Sequence, residues 1–516
     1  MLMLPISYDF ALFRARRTPD KEAVIDWHTG VRYTWRDIDE RSARVAAFFV
    51  DVFHLSVGDR VGIFADSCMG IIDLFFAAVR TGVVLVPYNA RLNAAELAEM
   101  MEMEELSLLL YSDDWAEKAF ESVRQLGRQP LMFRMDQKIR RYDSEGLADI
   151  ANDVTVPMFG QAEVDWESPF MFVHTGGTTG LPKAAVLSRR AVALNAFSEI
   201  LVWNLGEDDL VYLSMPFCHT SGWSCFSFPL LIAGGRVIVG GRFSADDFFE
   251  ITAKERPTMF LGADAMYKEI EAHADFDALD LSCFKWVMGG GAPVSLNTMK
   301  RFWAKGVKFF VGYGSSETGA NGLCPDVSIS LEENMAKPQT VGKPMAFTEM
   351  RIVDRDGNEV AQGAEGELLL RCDYAFCEYW KRPEETKSIL ENGWIHTGDI
   401  AYQDKDGDVY ISGRIKTMYI SAGENVYPVE VERCIDSFPS VIESCVFGVP
   451  DERWGEVGKA LVVAGDGFCL DGLRRHLESH LPTIKRPKYI QVVSEIPHNE
   501  AGKRDEKEIR RCYGVV

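Results

Sequence analysis

The chain has 516 residues, of which 47% are hydrophobic and 26% charged, and its formal net charge is −22. That length is too great for one small core and predicts two or more domains. The acidity, with no long basic run, argues against nucleic acid as a partner.

The opening stretch MLMLPISYDFALFRARR has no charged segment ahead of its apolar residues and no small-residue cleavage site, so it reads as mature protein and not as a signal peptide. RVGIFAD (60–66), CMGIIDLFFAAVRTG (68–82) and VVLVPYN (83–89) read as strand, helix, strand. Short apolar runs ending in glycine or polar residues recur at 171–177, 183–188, 209–216, 258–264, 285–291 and 308–317. Helical segments at 189–201 and 295–306 separate or follow them. This alternation predicts an α/β fold of layered, mostly parallel sheets, in which ligands collect at the carboxyl ends of strands.

The richest apolar stretch, 226–241, is interrupted by Gly234, Gly235 and Arg236, so no membrane span is expected. After about residue 340 the texture changes. TEMRIVDRDGNEV (348–360), GELLLRC (366–372) and DKDGDVYISGR (404–414) read as hairpin strands with Asp-Gly turns. Residues 424–482 then suggest a small α+β unit. The expected division is 1–413 for a large N-terminal domain and 414–516 for a small C-terminal one. The eleven cysteines form no CxxC pair, and Cys372 and Cys377 have no matching second pair, which suggests reduced thiols in a cytoplasm.

HTGGTTGLPK (174–183) packs three glycines, three threonines and a lysine into ten residues. Pro182 and Ala184 flank Lys183, so it is not a Walker loop, and Gly176, Gly177 and Gly180 are not spaced as GxGxxG. Its chemistry still suits a polyphosphate: glycines expose backbone N–H groups, and Thr175, Thr178 and Thr179 add hydroxyls. Lys183 adds an ammonium, for which one contact at about 4 Å contributes roughly 4 kcal/mol at an effective dielectric near 20. Taken alone the loop also reads as a flexible turn.

Further stretches follow in order: GGGAPVS (289–295), YGSSETG (313–319), GWIHTGD (393–399), GRIKTMYISAGENVYPVEVE (413–432) and NEAGK (499–503). With RTPDKEAVI (17–25) and TWRDID (34–39), the set resembles the adenylate-forming superfamily of acyl-CoA synthetases, luciferases and peptide-synthetase adenylation domains, over nearly the whole chain. The resemblance implies that Thr175, Gly176, Gly177, Thr178, Thr179, Gly180 and Lys183 hold the ATP phosphates. Gly290, Gly291, Ala292 and Pro293, with Tyr313, Gly314, Ser315 and Ser316, would enclose the adenine. Glu317, with Thr178, would hold Mg²⁺, and Thr318 would touch the α-phosphate or the substrate carboxylate. Asp399 would accept from the ribose, with Arg414 nearby. Lys503 would bridge the attacking carboxylate and the α-phosphate, where an anion attacks an anion. Without the resemblance, each lone carboxylate and Lys503 read as solvated surface groups.

In thioester-forming members the second domain swings about the position held here by Lys416. It then brings Ser421, Ala422, Gly423 and Glu424 to the coenzyme A tunnel. Small departures are His174, Gly176, Ala184, Thr417 and Ala422, and none removes a charged group named above. Ser214–Leu231 matches the segment beside the acyl site. There His219 would lie near the substrate carboxylate and Trp223 would gate the tail, although Trp223 also reads as ordinary core. Phe260, Met288 and Gly289 would complete an apolar acyl pocket, and nothing evident would pair with an α-ammonium. The implied activity is a cytoplasmic acyl-CoA synthetase using ATP, Mg²⁺ and coenzyme A. A medium- or long-chain fatty acid is favoured, and an aryl or alicyclic acid is the close alternative. A luciferase-like oxygenase, a carrier-protein loader and a non-catalytic homologue are the rivals, and a homodimer is the assembly expected if the chain self-associates.

Overall fold

A computed structural model describes residues 9–136, 146–175, 181–498 and 504–514. Two seven-stranded sheets form the body. The first runs in the order Phe309–Val311, Trp286–Gly289, Met259–Gly262, Leu210–Leu213, Arg236–Val239, Glu22–Asp26, Arg32–Thr34, and all neighbours are parallel except the last pair. Its strands are almost wholly buried apolar runs, the pattern of a sheet covered by helices on both faces.

The second sheet runs Glu378–Tyr379, Lys183–Ser188, Pro169–Thr175, Val84–Pro87, Arg60–Phe64, Leu108–Tyr111, Leu131–Arg134. It is parallel from Pro169–Thr175 onward, and the first two strands are antiparallel additions. The helix Met69–Thr81 is buried along nearly its whole length and ends at Gly82, whose φ of +83° makes a left-handed cap. The helix Arg189–Trp203 starts at Ser188, whose hydroxyl accepts from the Ala191 N–H.

A third, antiparallel sheet joins Thr348–Val353, Gly366–Cys372, Trp394–Gln403, Leu390–Glu391 and Val409–Arg414. The Asp356-Gly357 turn closes only a short loop, with the Asp354 N–H donating to the Asn358 carbonyl. The long partner of Thr348–Val353 is therefore Gly366–Cys372 across a wider connection. The chain leaves this sheet at Arg414, turns through 415–417, and enters another at Tyr419–Ser421. That last sheet holds Glu424–Val426, Gly455–Ala464, Val441–Asp451 and Tyr489–Val493, and it has hydrophobic clusters of its own on both sides. All eleven cysteines are free thiols.

Candidate active site

The hairpin that opens the phosphate loop brings Thr175 directly opposite Lys183. Residues Gly176, Gly177, Thr178, Thr179 and Gly180 lie outside the described residues. Just before them, His174 is buried, and its imidazole lies 2.6 Å from the Glu104 carboxylate and 3.2 Å from the Pro87 carbonyl. Tyr88 stacks on that imidazole at 5.1 Å and donates its hydroxyl to Glu104. Lys183 leans over the ring of Tyr379, its Nζ 4.2 Å from the centroid. Tyr379 in turn donates its hydroxyl to Glu317 Oε1. Tyr379 reaches this place because its two-residue strand pairs with Ala185 and Val186, on the strand that begins at Lys183. Burial, and then the Glu317 carboxylate, hold the Tyr379 phenol far above its ordinary range. One aromatic ring thus organises a cation suited to phosphate and a carboxylate suited to a hard metal ion.

Glu317 and Thr318 lie on a loop that leaves the strand Phe309–Val311 and returns to itself. Tyr313 pairs with Leu323 across it, and the Ser315 N–H donates to the Thr318 hydroxyl at 2.8 Å. Gly314 is required by this closure, because a Cβ there would overlap the Ala320 carbonyl oxygen. Ser315 and Ser316 are half-buried and Thr318 is buried. The Tyr313 hydroxyl donates to Asp399 Oδ2 at 2.6 Å. Arg414 faces Asp399 directly across the hairpin and donates from Nε to Oδ1 at 2.7 Å. Asp399 is 7% exposed and Arg414 63% in their side chains, so the carboxylate is shielded behind a solvent-facing guanidinium. Burial, then Asp399, push the Tyr313 phenol well above its usual range.

The glycines 289–291 end the neighbouring strand, and Gly312 N–H donates to the Gly289 carbonyl. Gly291 has φ +76° with nothing within 4 Å of the point where a side chain would begin, and Ala292 and Pro293 are exposed, which makes an open backbone ledge beside Tyr313.

The acyl segment folds into two short helices, Thr220–Ser224 and Ser227–Ala233. His219 caps the first and is half-buried. A narrow crevice of about 10 Å³ lies against this segment, lined among others by Ser214, Met215, Gly222, Cys225, Phe226 and Leu261. Trp223 does not line it. Its indole is buried, donates to the Phe217 carbonyl, and stacks on Phe228 at 5.6 Å, with Phe75 behind. Leu261, paired with Met288, borders the crevice, and Phe260 packs in a cluster with Phe248, Tyr267 and Tyr212, of which Tyr212 also borders it.

A family model described as AMP-binding enzyme matches residues 13–380, and one described as AMP-binding enzyme C-terminal domain matches 430–503. The chain belongs to the AMP-binding enzymes. A feruloyl-CoA synthase of Amycolatopsis sp is 32% identical over 504 residues, covering 97% of this chain and 98% of that protein. A long-chain-fatty-acid–CoA ligase of Mycobacterium tuberculosis is 28% identical, covering 98% and 97%. ATP-bound MatB from Rhodopseudomonas palustris superposes with a TM-score of 0.86 at 26% identity, covering 98% of this chain and 99% of that one. By class this AMP-binding enzyme is an AMP-forming acid–thiol ligase of the adenylate-forming superfamily.

Lys416, at the expected hinge, is exposed in the turn between the two sheets. Ser421 pairs with Glu424, so Ala422 and Gly423 form the whole turn, with φ of +49° and +88°. Both central residues are left-handed, the geometry that favours glycine, and Ala422 adopts it at a cost of about 1 kcal/mol. Lys503 lies outside the described residues. Among the described residues no helix is long and apolar enough to cross a membrane.

Three groups at this site were not reached from sequence. Tyr379 sits in EYWKRPEET, where the proline-started helix Pro383–Ile389 marked a turn but nothing marked a partner for Glu317. Asn321 follows the YGSSETG stretch by two residues. Glu199 lies in the helix Arg189–Trp203, and its burial is a tertiary fact.

Proposed function

We propose that this AMP-binding enzyme joins a compact aryl carboxylic acid to coenzyme A through an acyl-adenylate. The observation that carries the reading is the placement of Lys183 and Glu317 on either side of Tyr379, with Asp399 held by Tyr313 and Arg414. Such a set can receive the triphosphate, metal and ribose of one nucleotide. The ledge 289–293 and Tyr313 take the purine, Asp399 accepts from the ribose hydroxyls, and Thr175 and Lys183 meet the phosphates.

Among the described residues no three His, Cys, Asp or Glu side chains converge as a metal cage. A Mg²⁺ ion held by one carboxylate and by the substrate's phosphates needs no such cage, and Glu317 fits that role. Bound there, Mg²⁺ would neutralise charge on the polyphosphate. The acid carboxylate, directed by His219 and Thr318, attacks the α-phosphorus. An O–P bond forms and pyrophosphate leaves, with Lys503 as the cation between the two anions. In the second half-reaction the coenzyme A sulfur attacks the acyl carbon and AMP leaves. Residues 414–516 form the unit that turns about Lys416 between the two steps and presents Ser421–Glu424.

A compact aryl acid is favoured by the likeness to a feruloyl-CoA synthase and by the Trp223–Phe228–Phe75 stack, which packs the acyl segment with aromatic rings and leaves no long channel among the described residues around it. A medium- or long-chain fatty acid is the second reading. It is favoured by the apolar wall of Leu213, Met215, Phe226 and Leu261 and by the likeness to a fatty-acid ligase. Acid-dependent ATP–pyrophosphate exchange with cinnamate, benzoate, octanoate and palmitate tests the proposal. Exchange supported by the aryl acids at far lower concentrations supports it, and exchange supported only by palmitate refutes it.

A further inference from the structure

The helix Ala94–Glu104 ends on a carboxyl that the chemistry above does not use. Glu104 is 2% exposed, and His174, one residue ahead of Thr175, is 8% exposed. Glu104 Oε1 lies 2.6 Å from His174 Nε2, and Glu104 Oε2 accepts from the Tyr88 hydroxyl. Tyr88 also stacks on the imidazole, with 24° between the planes.

The partners fix the protons. A carbonyl oxygen only accepts, so His174 Nδ1, 3.2 Å from the Pro87 carbonyl, carries one proton. The contact between Nε2 and Oε1 needs another. That proton sits on Nε2 beside a carboxylate, or on Oε1 beside a neutral imidazole. The pair has no net charge in either arrangement, and each polar atom of both side chains has a partner. Such a pair can stay buried without a further counter-ion.

The same helix end holds the segment on the other side of the site. Arg60 donates from Nε to the Glu104 carbonyl at 2.9 Å and from Nη2 to the Glu105 carbonyl at 2.8 Å, which satisfies carbonyls left open where a helix stops. Trp380 Nε1 donates to the Met103 carbonyl at 3.2 Å, and Lys381 Nζ pairs with Glu105 at 2.9 Å. Trp380 directly follows Tyr379, whose hydroxyl holds Glu317 and whose ring carries Lys183. One helix end therefore ties the chain that enters Thr175 to the chain that leaves Tyr379. Thr175 and Lys183 face each other across the hairpin between them.

We infer that Glu104, through the proton it shares with His174, is a positioning residue for the triphosphate: it fixes where the chain enters the phosphate loop relative to Lys183 and Glu317. This rests on the reading that Thr175 and Lys183 meet the phosphates, and not on which acid is activated. Removing the carboxyl leaves His174 Nε2 and the Tyr88 hydroxyl buried without their acceptor or donor, and the ring ahead of Thr175 loses its anchor. Glutamine is the conservative replacement. Its amide N–H can donate to Nε2 of a neutral imidazole while its oxygen accepts from Tyr88, so the contacts survive without the shared proton.

The test separates the β- and γ-phosphates from the rest of the nucleotide. Calorimetry with Mg²⁺ measures Kd for ATP and for AMP in the full-length protein and in its Glu104→Leu, His174→Phe and Glu104→Gln variants. The wild type should bind ATP more tightly than AMP. Glu104→Leu and His174→Phe should each weaken ATP by roughly tenfold or more and leave AMP within about twofold, and Glu104→Gln should bring ATP back close to the wild type. Thioester formation from a supplied acyl-adenylate needs no triphosphate and should keep its wild-type rate in all three variants. An ATP Kd that neither Glu104→Leu nor His174→Phe changes overturns the inference. So does equal weakening of ATP and AMP, or a supplied-adenylate step slowed as much as ATP is weakened, because the pair would then support only the general shape of the site. If the wild type binds ATP no more tightly than AMP, the phosphate reading of Thr175 and Lys183 fails and takes the inference with it.

Discussion

Replacing Tyr379 by Phe deletes one oxygen and keeps the ring. In the structure that oxygen donates to Glu317 Oε1, while the ring face holds Lys183 Nζ at 4.2 Å. Cation–π attraction at a partly open site is worth about 0.5–1 kcal/mol and survives in the Phe variant. The hydroxyl-to-carboxylate bond is the part that is lost. Bonds to charged groups contribute about 1.5–3 kcal/mol, and Glu317 is half-exposed, so water recovers some of this. The residual effect is about 1 kcal/mol, or roughly fivefold. It should fall on metal and nucleotide, because partners that orient a metal-binding carboxylate typically change affinity by ~10-fold or more when removed. Steady-state assays at varied Mg²⁺ and ATP with acid saturating should show half-saturation for Mg²⁺ rising about five- to tenfold, and a second series at varied acid should show its KM unchanged. Tyr379→Ala removes a buried ring as well and should cost about 3–5 kcal/mol of stability. A Phe variant whose Mg²⁺ dependence matches the wild type, while Tyr379→Ala lowers only the melting temperature, would refute the reasoning and make Tyr379 a packing residue.

Asp399→Ala leaves Arg414 and the Tyr313 hydroxyl without their acceptor and removes the proposed ribose contact; KM for ATP should rise about 10- to 100-fold with a smaller effect on KM for the acid, measured by pyrophosphate release. Gly314→Ala should be far worse than Gly291→Ala. The first drives a methyl into the Ala320 carbonyl, and the second adds only left-handed strain of about 1–2 kcal/mol, so urea unfolding should separate the two variants clearly. Asp436 carries the pH dependence. Burial raises its pKa from 3.8 to about 7, with Glu432 adding to the rise and Arg504 and Lys268 opposing it. The folded state then holds a proton that the unfolded state has released, so stability falls as pH rises from about 4 to 7 and is flat above. The side chain is partly open to solvent, which limits the loss to about 1–2 kcal/mol. Asp436→Asn should flatten that segment of the stability curve, and an unchanged slope would remove Asp436 as its cause.

Much of the frame was legible from the chain. Runs such as 183–188 and 286–289 announce buried parallel strands because they are apolar and end in glycine or a polar residue, and the helix over 189–201 is marked by Ser188 at its start. Glu317 and Asp399 are legible only through the resemblance, because a lone carboxylate otherwise reads as a solvated surface group. The run 183–188 nevertheless pairs antiparallel with its neighbours, because a hairpin and not a helix connects it to Pro169–Thr175. What pattern does not supply is partnership across the fold. The ring of Tyr379 meets Lys183 because a two-residue strand adds to a sheet edge, and two-residue strands have no period to detect. Phe260 was expected in the acyl pocket; it packs with Phe248, Tyr212 and Tyr267, and Tyr212 and Leu261 border the crevice. Trp223 lies at the expected place in the chain, and its stacking on Phe228 and Phe75 is decided by residues about 150 positions apart. Glu199 is the extreme case, since an acid inside a helix reads as solvated until tertiary packing buries it.

The central claim is a two-step transfer in which coenzyme A takes the acyl group from an adenylate. It is tested most directly by incubating the protein with ATP, Mg²⁺ and 4-hydroxycinnamate, with and without coenzyme A, and following AMP and acyl-CoA together. The account predicts multiple turnovers of AMP only when coenzyme A is present, with one acyl-CoA formed for each AMP. Equal AMP release with and without coenzyme A, or AMP without acyl-CoA, would contradict it.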